Sequence, residues 1–264
     1  MDMKTKSALS YFGSDSEVAE SLAERLSSCS HVTIPFVGGA SIIPHLKARA
    51  LVCNDLNRLA ITFYRAVCGP DKDELVSLCE RTLSHPDEIE TAKIVISQSI
   101  RDVEIAWAYW ALCWLGRKGK GGTRGVVKKP SVRYSPNGGT NATRIKAAAE
   151  DLESWANHFK RCEWTSEDFR VVLEKVHDNP ECGIYLDAPW WGAGSAYLHS
   201  FSVQDHVDLR DYLKRFSKAK IVVRYDDCPA IRDLYKEFEI VAASSKNQAG
   251  GKSKELCIVR RENG

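Results

Sequence analysis

The stretch Ile34-Pro35-Phe36-Val37-Gly38-Gly39-Ala40-Ser41 decides the fold of this chain. A short β-branched strand at residues 31–35 leads into two glycines, and a helix is predicted to begin near Ser41, with Pro44 tolerated in its first turn. A glycine turn between a strand and a helix lets a ligand approach the backbone and meet unpaired N–H groups. The stretch therefore predicts an α/β sheet that binds a nucleotide-like group beyond a strand end.

The second strand, predicted at residues 50–54, supports this interpretation. It ends at Asp55, nineteen residues after Phe36, where a carboxylate can accept hydrogen bonds from both ribose hydroxyls of an adenosine cofactor. The two strands and the helix between them form a β-α-β unit, whose right-handed crossover makes the strands parallel. Glycine pairs also occur as plain tight turns, but with Asp55 at this spacing we favour a nucleoside-type cofactor.

The remaining periodicity predicts an α/β fold with a helical insert. Helices are predicted at residues 16–28, 56–67, 101–115, 145–159, 166–176, 203–216 and 229–236, and further strands at 182–186, 220–224, 239–243 and 255–259. No strand is predicted between residues 69 and 164, where Trp107, Trp110 and Trp114 have helical spacing and are expected to pack in the interior. We predict a doubly wound α/β core at 1–68 and 165–264 and a helical insert at 69–164.

The composition is that of an ordinary globular protein of 264 residues. Its net charge of +2 is too small to indicate a polyanionic partner by itself, and its nine cysteines include no C-x-x-C pair. We therefore expect reduced thiols and no metal site. The chain has no signal-peptide pattern and no apolar run of membrane-spanning length, so we expect no membrane association and a cytoplasmic location.

The turn Asp187-Ala188-Pro189-Trp190 comes after a short apolar strand, and a second indole, Trp191, is next to it in the chain. A carboxylate and an aromatic face suit chemistry on a planar group that bears an amine, because the first accepts its N–H and the second stacks on its ring. Ligands of open parallel sheets lie beyond the carboxyl ends of the strands, so this turn is expected to share one crevice with the first two strand ends. The alternative is that Asp187 caps a common turn and the tryptophans pack in the interior.

The segment from residue 117 to residue 149 has no acidic residue and many basic ones. Such a cluster neutralises phosphates well, although a run of charge is often only a solvated face. Arginine suits guanine and asparagine suits adenine in the major groove, so some of these side chains are candidates for reading base edges. The candidate nucleic-acid-binding residues are Arg117, Lys118, Lys120, Arg124, Lys128, Lys129, Arg133, Asn137, Asn141 and Arg144.

The order of these motifs resembles that of the Dam-type (D12 class) DNA adenine-N6 methyltransferases. The segment that begins at Tyr197, His199 and Phe201 and continues through Asp205-His206 is also similar to the segment after the catalytic turn in that family. The resemblance implies a Rossmann-like S-adenosylmethionine-dependent methyltransferase core with a helical insert domain. In that interpretation residues 1–68 and 165–264 form the catalytic core, and the helical, basic insert at 69–164 recognises the target. It also implies S-adenosylmethionine as cofactor, double-stranded DNA as partner and N6 of a flipped-out adenine as methyl acceptor. We favour a monomer.

The resemblance also implies roles for individual residues. Asp187 and the Ala188 carbonyl would accept hydrogen bonds from the adenine amine, localising its lone pair, while Pro189 stiffens the turn and Trp190 stacks on the base. His206 is interpreted as a helix-surface or packing residue rather than a base. The candidate cofactor-binding residues are Tyr11, Phe12, Gly13, Pro35, Phe36, Gly38, Gly39, Asp55, Leu56 and Asp187.

The chain departs from the family pattern at three places. The family's D-P-P-Y is replaced by Asp187-Ala188-Pro189-Trp190, its F-x-G-x-G by residues 36–40, and its tryptophan-to-lysine segment by residues 11–16, which hold no lysine. Two alternatives stay open, and the departures at residues 11–16 and 36–40 motivate the second of them. One is an RNA adenine methyltransferase with the same pocket, and the other is a catalytically inactive nucleic-acid-binding protein on the same fold.

Neutralising Lys128, Lys129 and Arg133 to alanine is expected to weaken DNA binding and to flatten its dependence on salt, because fewer counterions are released on binding. Fluorescence anisotropy with a duplex over a range of salt concentrations measures both quantities. An unchanged salt slope would reject the segment as the binding face.

Overall fold

The computed structural model describes residues 3–11, 18–116, 139–192, 198–246 and 252–259. Its strands in chain order are β1 His31–Ile34, β2 Ala50–Asn54, β3 Cys162–Thr165, β4 Cys182–Leu186, β5 Lys220–Asp226, β6 Glu239–Lys246 and β7 Lys252–Val259. Its α-helices are α1 Ala19–Glu24, α2 Arg58–Cys68, α3 Lys72–Glu80, α4 Pro86–Gln98, α5 Asp102–Leu115, α6 Asn141–Glu150, α7 Leu152–Phe159, α8 Phe169–Glu174, α9 Val203–Lys214 and α10 Pro229–Leu234.

The chain forms two compact units. The helical unit contains Met1–Ser14, Gly38–Ser41 and Asn57–Lys160, and the sheet unit contains Asp15–Val37, Ile42–Leu56 and Arg161–Gly264. The predicted division into a core at 1–68 and 165–264 and an insert at 69–164 is a division by role, and it stays a prediction.

The sheet unit holds a sheet with the strand order β3-β2-β1-β4-β5-β7-β6. Strands β1 to β5 run parallel, and β7 lies antiparallel between β5 and β6. The order reverses at β1, since β2 and β3 lie to one side of it and β4 and β5 to the other. Such a reversal opens a crevice at the carboxyl ends of the strands, where ligands of open α/β sheets bind. The predicted α/β class and the predicted closing pair of strands are confirmed.

The prediction of an α-helix that begins near Ser41 is wrong, because only a single 3₁₀ turn, Ile43–His45, forms between β1 and β2. Few residues separate Ser41 from the start of β2, and they leave no room for an α-helix with connections at both ends. Backbone carbonyls of this segment that have no helical partner accept hydrogen bonds from a side chain instead. The Arg161 guanidinium donates to the carbonyls of Ile43, Leu46 and Ala48 at 2.7–2.9 Å.

Two further predictions need correction. Strand β3 lies at Cys162–Thr165, partly in the region where no strand was predicted. It is an edge strand of the sheet and pairs with β2. Four residues of mixed polarity carry too short a pattern to reveal a strand. The helix predicted at residues 145–159 is two helices, α6 and α7, which meet at Asp151. The Asp151 carboxylate accepts hydrogen bonds from the backbone N–H and the hydroxyl of Thr5 at this break.

Helix α5 is the centre of the helical unit, and its tryptophans pack in the interior as predicted. Trp110 is fully buried, Trp107 donates its indole N–H to the Thr82 hydroxyl at 2.8 Å, and Trp114 donates to the Ala8 carbonyl at 3.3 Å. Burial on every side explains why α5 has apolar residues around its whole circumference.

The buried side chain of Asn54 joins the carboxyl ends of β1, β2 and β3 in the sheet unit. Its Nδ2 donates to the Pro35 and Glu167 carbonyls at 3.0 and 2.9 Å, and its Oδ1 accepts from the Thr165 hydroxyl and the Glu167 backbone N–H at 2.8 Å each. One amide therefore satisfies four polar groups at the edge of the sheet, next to Asp55.

Asn54→Leu is expected to lower the free energy of unfolding by about 2–4 kcal/mol, because it leaves several polar groups near the interior without their partner. Urea unfolding measures the loss. The matched variant Thr165→Val removes one of the same hydrogen bonds and is expected to cost only about 1 kcal/mol. Equal stability of Asn54→Leu and the wild type would contradict the role given to this amide.

Candidate active site

Asp187 lies directly after β4, at the carboxyl edge of the sheet. Its Oδ2 accepts a hydrogen bond from Nη1 of Arg224 at 2.8 Å. The parallel register of β4 and β5 brings Asp187 and Arg224 together. Leu186 is aligned with Val223 of β5, so the residues that follow these two, Asp187 and Arg224, are also side by side. The Asp187 side chain keeps 17% of its surface exposed, so the carboxylate lies at the edge of the interior rather than inside it.

Arg224 is a buried cation with acidic partners on two strands. Its side chain is 3% exposed, and its Nε donates to Oε2 of Glu255, on β7, at 2.9 Å. Burial alone disfavours the charged guanidinium, but the charge of Asp187 and the hydrogen bond to Glu255 raise the pKa of Arg224 above its usual value. The arginine therefore stays charged and links β5 to β7 and to the residue that follows β4.

The two tryptophans of the turn are half-buried and pack on the core of the sheet unit. The Arg224 guanidinium carbon lies 5.0 Å from the centroid of the Trp190 ring, within the range of a cation–π contact. Trp191 packs on His206 with their ring centroids 4.9 Å apart and their planes tilted by 40°. The turn thus presents a carboxylate and an indole that share one positively charged neighbour.

Arg224 and Glu255 were not identified from the sequence, although a signal existed. Arg224 interrupts the apolar run of β5, whose inner residues are all buried. A charged residue in a buried strand requires an acidic partner. That rule predicts an ion pair for Arg224, but only the order of the strands identifies Asp187 and Glu255 as the partners.

His206, on α9, is a packing residue, as the sequence predicted. It is 2% exposed, and its Nδ1 lies 2.9 Å from the Tyr225 hydroxyl. The rings of Trp191, Phe201 and Tyr225 surround it. Burial lowers the pKa of His206 to about 4, although the neighbouring Asp205 carboxylate opposes the shift. The imidazole is therefore neutral at pH 7, and its ring packs against Trp191.

The ends of β1 and β2 bring further predicted residues to the same edge of the sheet as Asp187. Phe36 lies just after β1 and packs on Phe169 and Phe201, with ring centroids 5.6 and 5.7 Å apart. Asp55 lies just after β2 and is half-buried, while Leu56 is 44% exposed. Since β1 lies between β2 and β4, Asp55, Phe36 and Asp187 follow three neighbouring strands at one edge of the sheet. Carboxylates and an aromatic ring at one sheet edge are groups that fit an adenosine-type cofactor.

The glycine turn belongs to the helical unit, where Tyr11 lies against it. A Cβ added to Gly38 would lie 3.5 Å from the Tyr11 ring, and one added to Gly39 would lie 3.0 Å from the Leu9 carbonyl. Gly38 and Ala40 have φ angles of 49° and 62°, so this alanine adopts a left-handed conformation that costs about 1 kcal/mol. Tyr11 and both glycines are thus brought together, while Phe12 and Gly13 lie outside the described residues.

Most of the predicted nucleic-acid-binding residues lie outside the described residues, namely Arg117, Lys118, Lys120, Arg124, Lys128, Lys129, Arg133 and Asn137. Asn141 begins α6, is 4% exposed and donates from its Nδ2 to the Ser84 hydroxyl at 3.3 Å. Arg144 lies over the Trp114 ring, with its guanidinium carbon 5.5 Å from the centroid. The role of these residues toward DNA stays a prediction.

The described part of the chain shows neither a metal-binding cluster nor a membrane-spanning helix. Within the ranges given above, no three side chains of histidine, cysteine, aspartate or glutamate are grouped so that they could hold a metal ion. No α-helix in these ranges combines the length and the apolar character that crossing a membrane requires.

Comparison with known proteins identifies one family. The model of the D12 class N6 adenine-specific DNA methyltransferase family matches residues 11–248, which include β1 to β6 and the Asp187 turn. No curated protein matches the chain.

The stability of the wild type is expected to fall by about 2–3 kcal/mol more than that of His206→Gln between pH 7 and pH 4.5. The buried imidazole resists protonation down to pH about 4, whereas in the unfolded chain it binds a proton near pH 6.5. Acid therefore favours the unfolded state through this residue. Urea unfolding at several pH values measures the difference.

The exposed His177 serves as the control, and His177→Gln is expected to keep the wild-type pH dependence. A His206→Gln variant whose stability falls with acid as steeply as that of the wild type would show that His206 is not held neutral in the fold.

Proposed function

We propose that S-adenosylmethionine is the methyl donor and a flipped-out adenine the methyl acceptor of this chain, which belongs to the D12 class N6 adenine-specific DNA methyltransferase family. Membership of the family makes the chain an adenine-specific DNA methyltransferase with a Rossmann-like α/β fold. The proposal concerns what the residues of this chain do in that reaction.

The observation that carries the proposal is the pairing of a partly exposed carboxylate with an aromatic ring at one strand end. Asp187 accepts one N–H of the adenine amine, and the Ala188 carbonyl accepts the other. The N6 lone pair, otherwise delocalised into the ring, is then localised and directed at the methyl group. Trp190 stacks on the base, a contact worth about 1–3 kcal/mol. The carboxylate must be ionised to accept in this way, and the adjacent charge of Arg224 favours the ionised form.

The cofactor is proposed to lie beyond the ends of β1 and β2 in the sheet unit. Asp55 accepts hydrogen bonds from the ribose hydroxyls, and Phe36 with Leu56 provides apolar contacts. When bound, S-adenosylmethionine supplies a methyl group that is already activated by its sulfonium. The chain then contributes mainly placement, because it orients the amine in line with that group and excludes water. No covalent intermediate with the protein is required.

The target adenine is proposed to leave the duplex, since N6 inside a base pair cannot reach a pocket at a strand end. The basic residues between 117 and 144 are proposed to hold the phosphates on either side of the extruded nucleotide. In this division of labour residues 69–164 recognise the target and residues 1–68 with 165–264 perform catalysis. We propose that one chain suffices.

Asp187→Ala is expected to lower kcat for methylation of DNA by at least about a hundredfold, because an aligned acceptor in a water-poor site is lost. The affinity for S-adenosylmethionine is expected to stay nearly unchanged, since the ribose is held at Asp55. Transfer of labelled methyl groups to duplex DNA measures the first quantity, and titration calorimetry measures the second. Full activity of Asp187→Ala would refute the assigned role.

The exposed Asp233 provides the matched control, and Asp233→Ala is expected to keep wild-type activity and affinity. The inactive-protein alternative is tested by the same calorimetry. If the wild-type chain binds no S-adenosylmethionine at millimolar concentration, the proposed cofactor and mechanism fail.

A further inference from the structure

We propose that Arg224 is a positioning residue for methyl transfer, which holds the Asp187 carboxylate and the Trp190 ring in one fixed arrangement. The inference rests on the proposed function, because it assumes that these two residues hold the adenine. Arg224 itself is buried and acts through them.

The first contact is with the carboxylate. Nη1 of Arg224 binds Oδ2 of Asp187 at 2.8 Å, and Arg224 cannot move away because Nε is bound to Glu255 at 2.9 Å. A guanidinium is planar and its N–H groups have fixed directions, so binding two carboxylates at once fixes its orientation. The direction of the Asp187 carboxylate is fixed in turn by its bond to this guanidinium.

The second contact is with the stacking ring. The guanidinium carbon lies 5.0 Å from the centroid of Trp190, three residues after Asp187. A cation at this distance attracts the face of the indole, and partial burial strengthens the attraction. The same side chain therefore sets the plane of the ring and the direction of the carboxylate, which are the two features that orient an extruded base.

The backbone of the turn is restrained, whereas the side chains at its two ends keep rotatable bonds. Pro189 has a fixed φ angle and restricts Ala188 before it, and Ala188 is buried in the core of the sheet unit. This backbone fixes where Asp187 and Trp190 start but not the directions of their side chains. Arg224 contacts both side chains and so restrains those directions.

Glu255 anchors the Nε side of Arg224, and this pair sets the design of the variants. Glu255 is 2% exposed, so removing Arg224 alone would take a bound cation away from a buried carboxylate and would destabilise the fold. The variant Arg224→Gln/Glu255→Gln removes both charges together and keeps groups that can hydrogen-bond. Glu255→Gln alone keeps an acceptor for Nε, so Arg224 retains its anchor and its contacts with Asp187 and Trp190.

The experiment measures kcat, the KM for DNA and the affinity for S-adenosylmethionine, with DNA that carries the methylation site mapped by sequencing. Arg224→Gln/Glu255→Gln is expected to lose on the order of ten- to hundredfold in kcat, as expected for a reacting group displaced by about 1 Å. Its cofactor affinity is expected to stay within about threefold of the wild type, as is the kcat of Glu255→Gln. A wild-type kcat in the double variant overturns the proposal.

Arg161→Met is the control for a general loss of stability. Arg161 also donates to three backbone carbonyls of the sheet unit, but these carbonyls lie in and after the 3₁₀ turn. It is expected to lower the unfolding temperature without changing kcat per folded molecule. If kcat and cofactor affinity fall together in the double variant and in Arg161→Met, Arg224 is merely structural and the proposal is wrong.

If the double variant does not fold, Arg224→Lys replaces it, since lysine keeps the charge but cannot reach two carboxylates and the ring in one geometry. About a tenfold loss in kcat is then expected, and a wild-type kcat overturns the proposal. Asp187→Ala separates the two ideas. If Asp187→Ala is fully active, the proposed function fails, whereas an inactive Asp187→Ala beside a fully active Arg224 variant refutes only the positioning role.

Discussion

The burial of one guanidinium between two carboxylates organises the carboxyl edge of this sheet. Arg224 on β5 binds Asp187 after β4 and Glu255 on β7, and so joins three strands. Removing a cation from water costs several kcal/mol, which its partners recover only when distances and directions are close to ideal. The fold must therefore keep the strand ends in register, and the candidate catalytic carboxylate is kept in place by the same requirement.

At the ends of β1, β2 and β3, the same edge of the sheet depends on an uncharged side chain. Asn54 connects the ends of β1, β2 and β3 through four hydrogen bonds, and Asp55 is the next residue in the chain. A parallel sheet brings several strand ends together, but each end leaves backbone groups without a ladder partner. On one side of β1, the Asn54 amide forms hydrogen bonds with such groups. On the other side, the charged Arg224 side chain forms ion pairs with Asp187 and Glu255.

Much of this arrangement could be predicted from the sequence. Apolar runs ending in Asp55 and Asp187 identified two strands, and the rule that parallel strand ends share one edge brought those carboxylates together. Two of the corrections concern short segments. Strand β3 has four residues of mixed polarity and the turn at Ile43–His45 has three, and segments this short without a clear apolar pattern do not distinguish strand, turn and helix. Their conformations depend on contacts distant in the chain, such as those of Arg161 with the loop before β2.

The sequence by itself determined the fold class, the order of the motifs and the residue types that suit chemistry on a planar group that bears an amine, because local periodicity and spacing carry that information. Methyl transfer was implied by the resemblance of the motif order to a known family. The tertiary structure decided which charge faces Asp187 and what supports Trp190. Arg224 and Glu255 lie 37 and 68 residues beyond Asp187 along the chain, so only the strand order β4-β5-β7 makes them neighbours. Ion pairs in a sheet form across strands, and the sequence does not specify which strands will be adjacent.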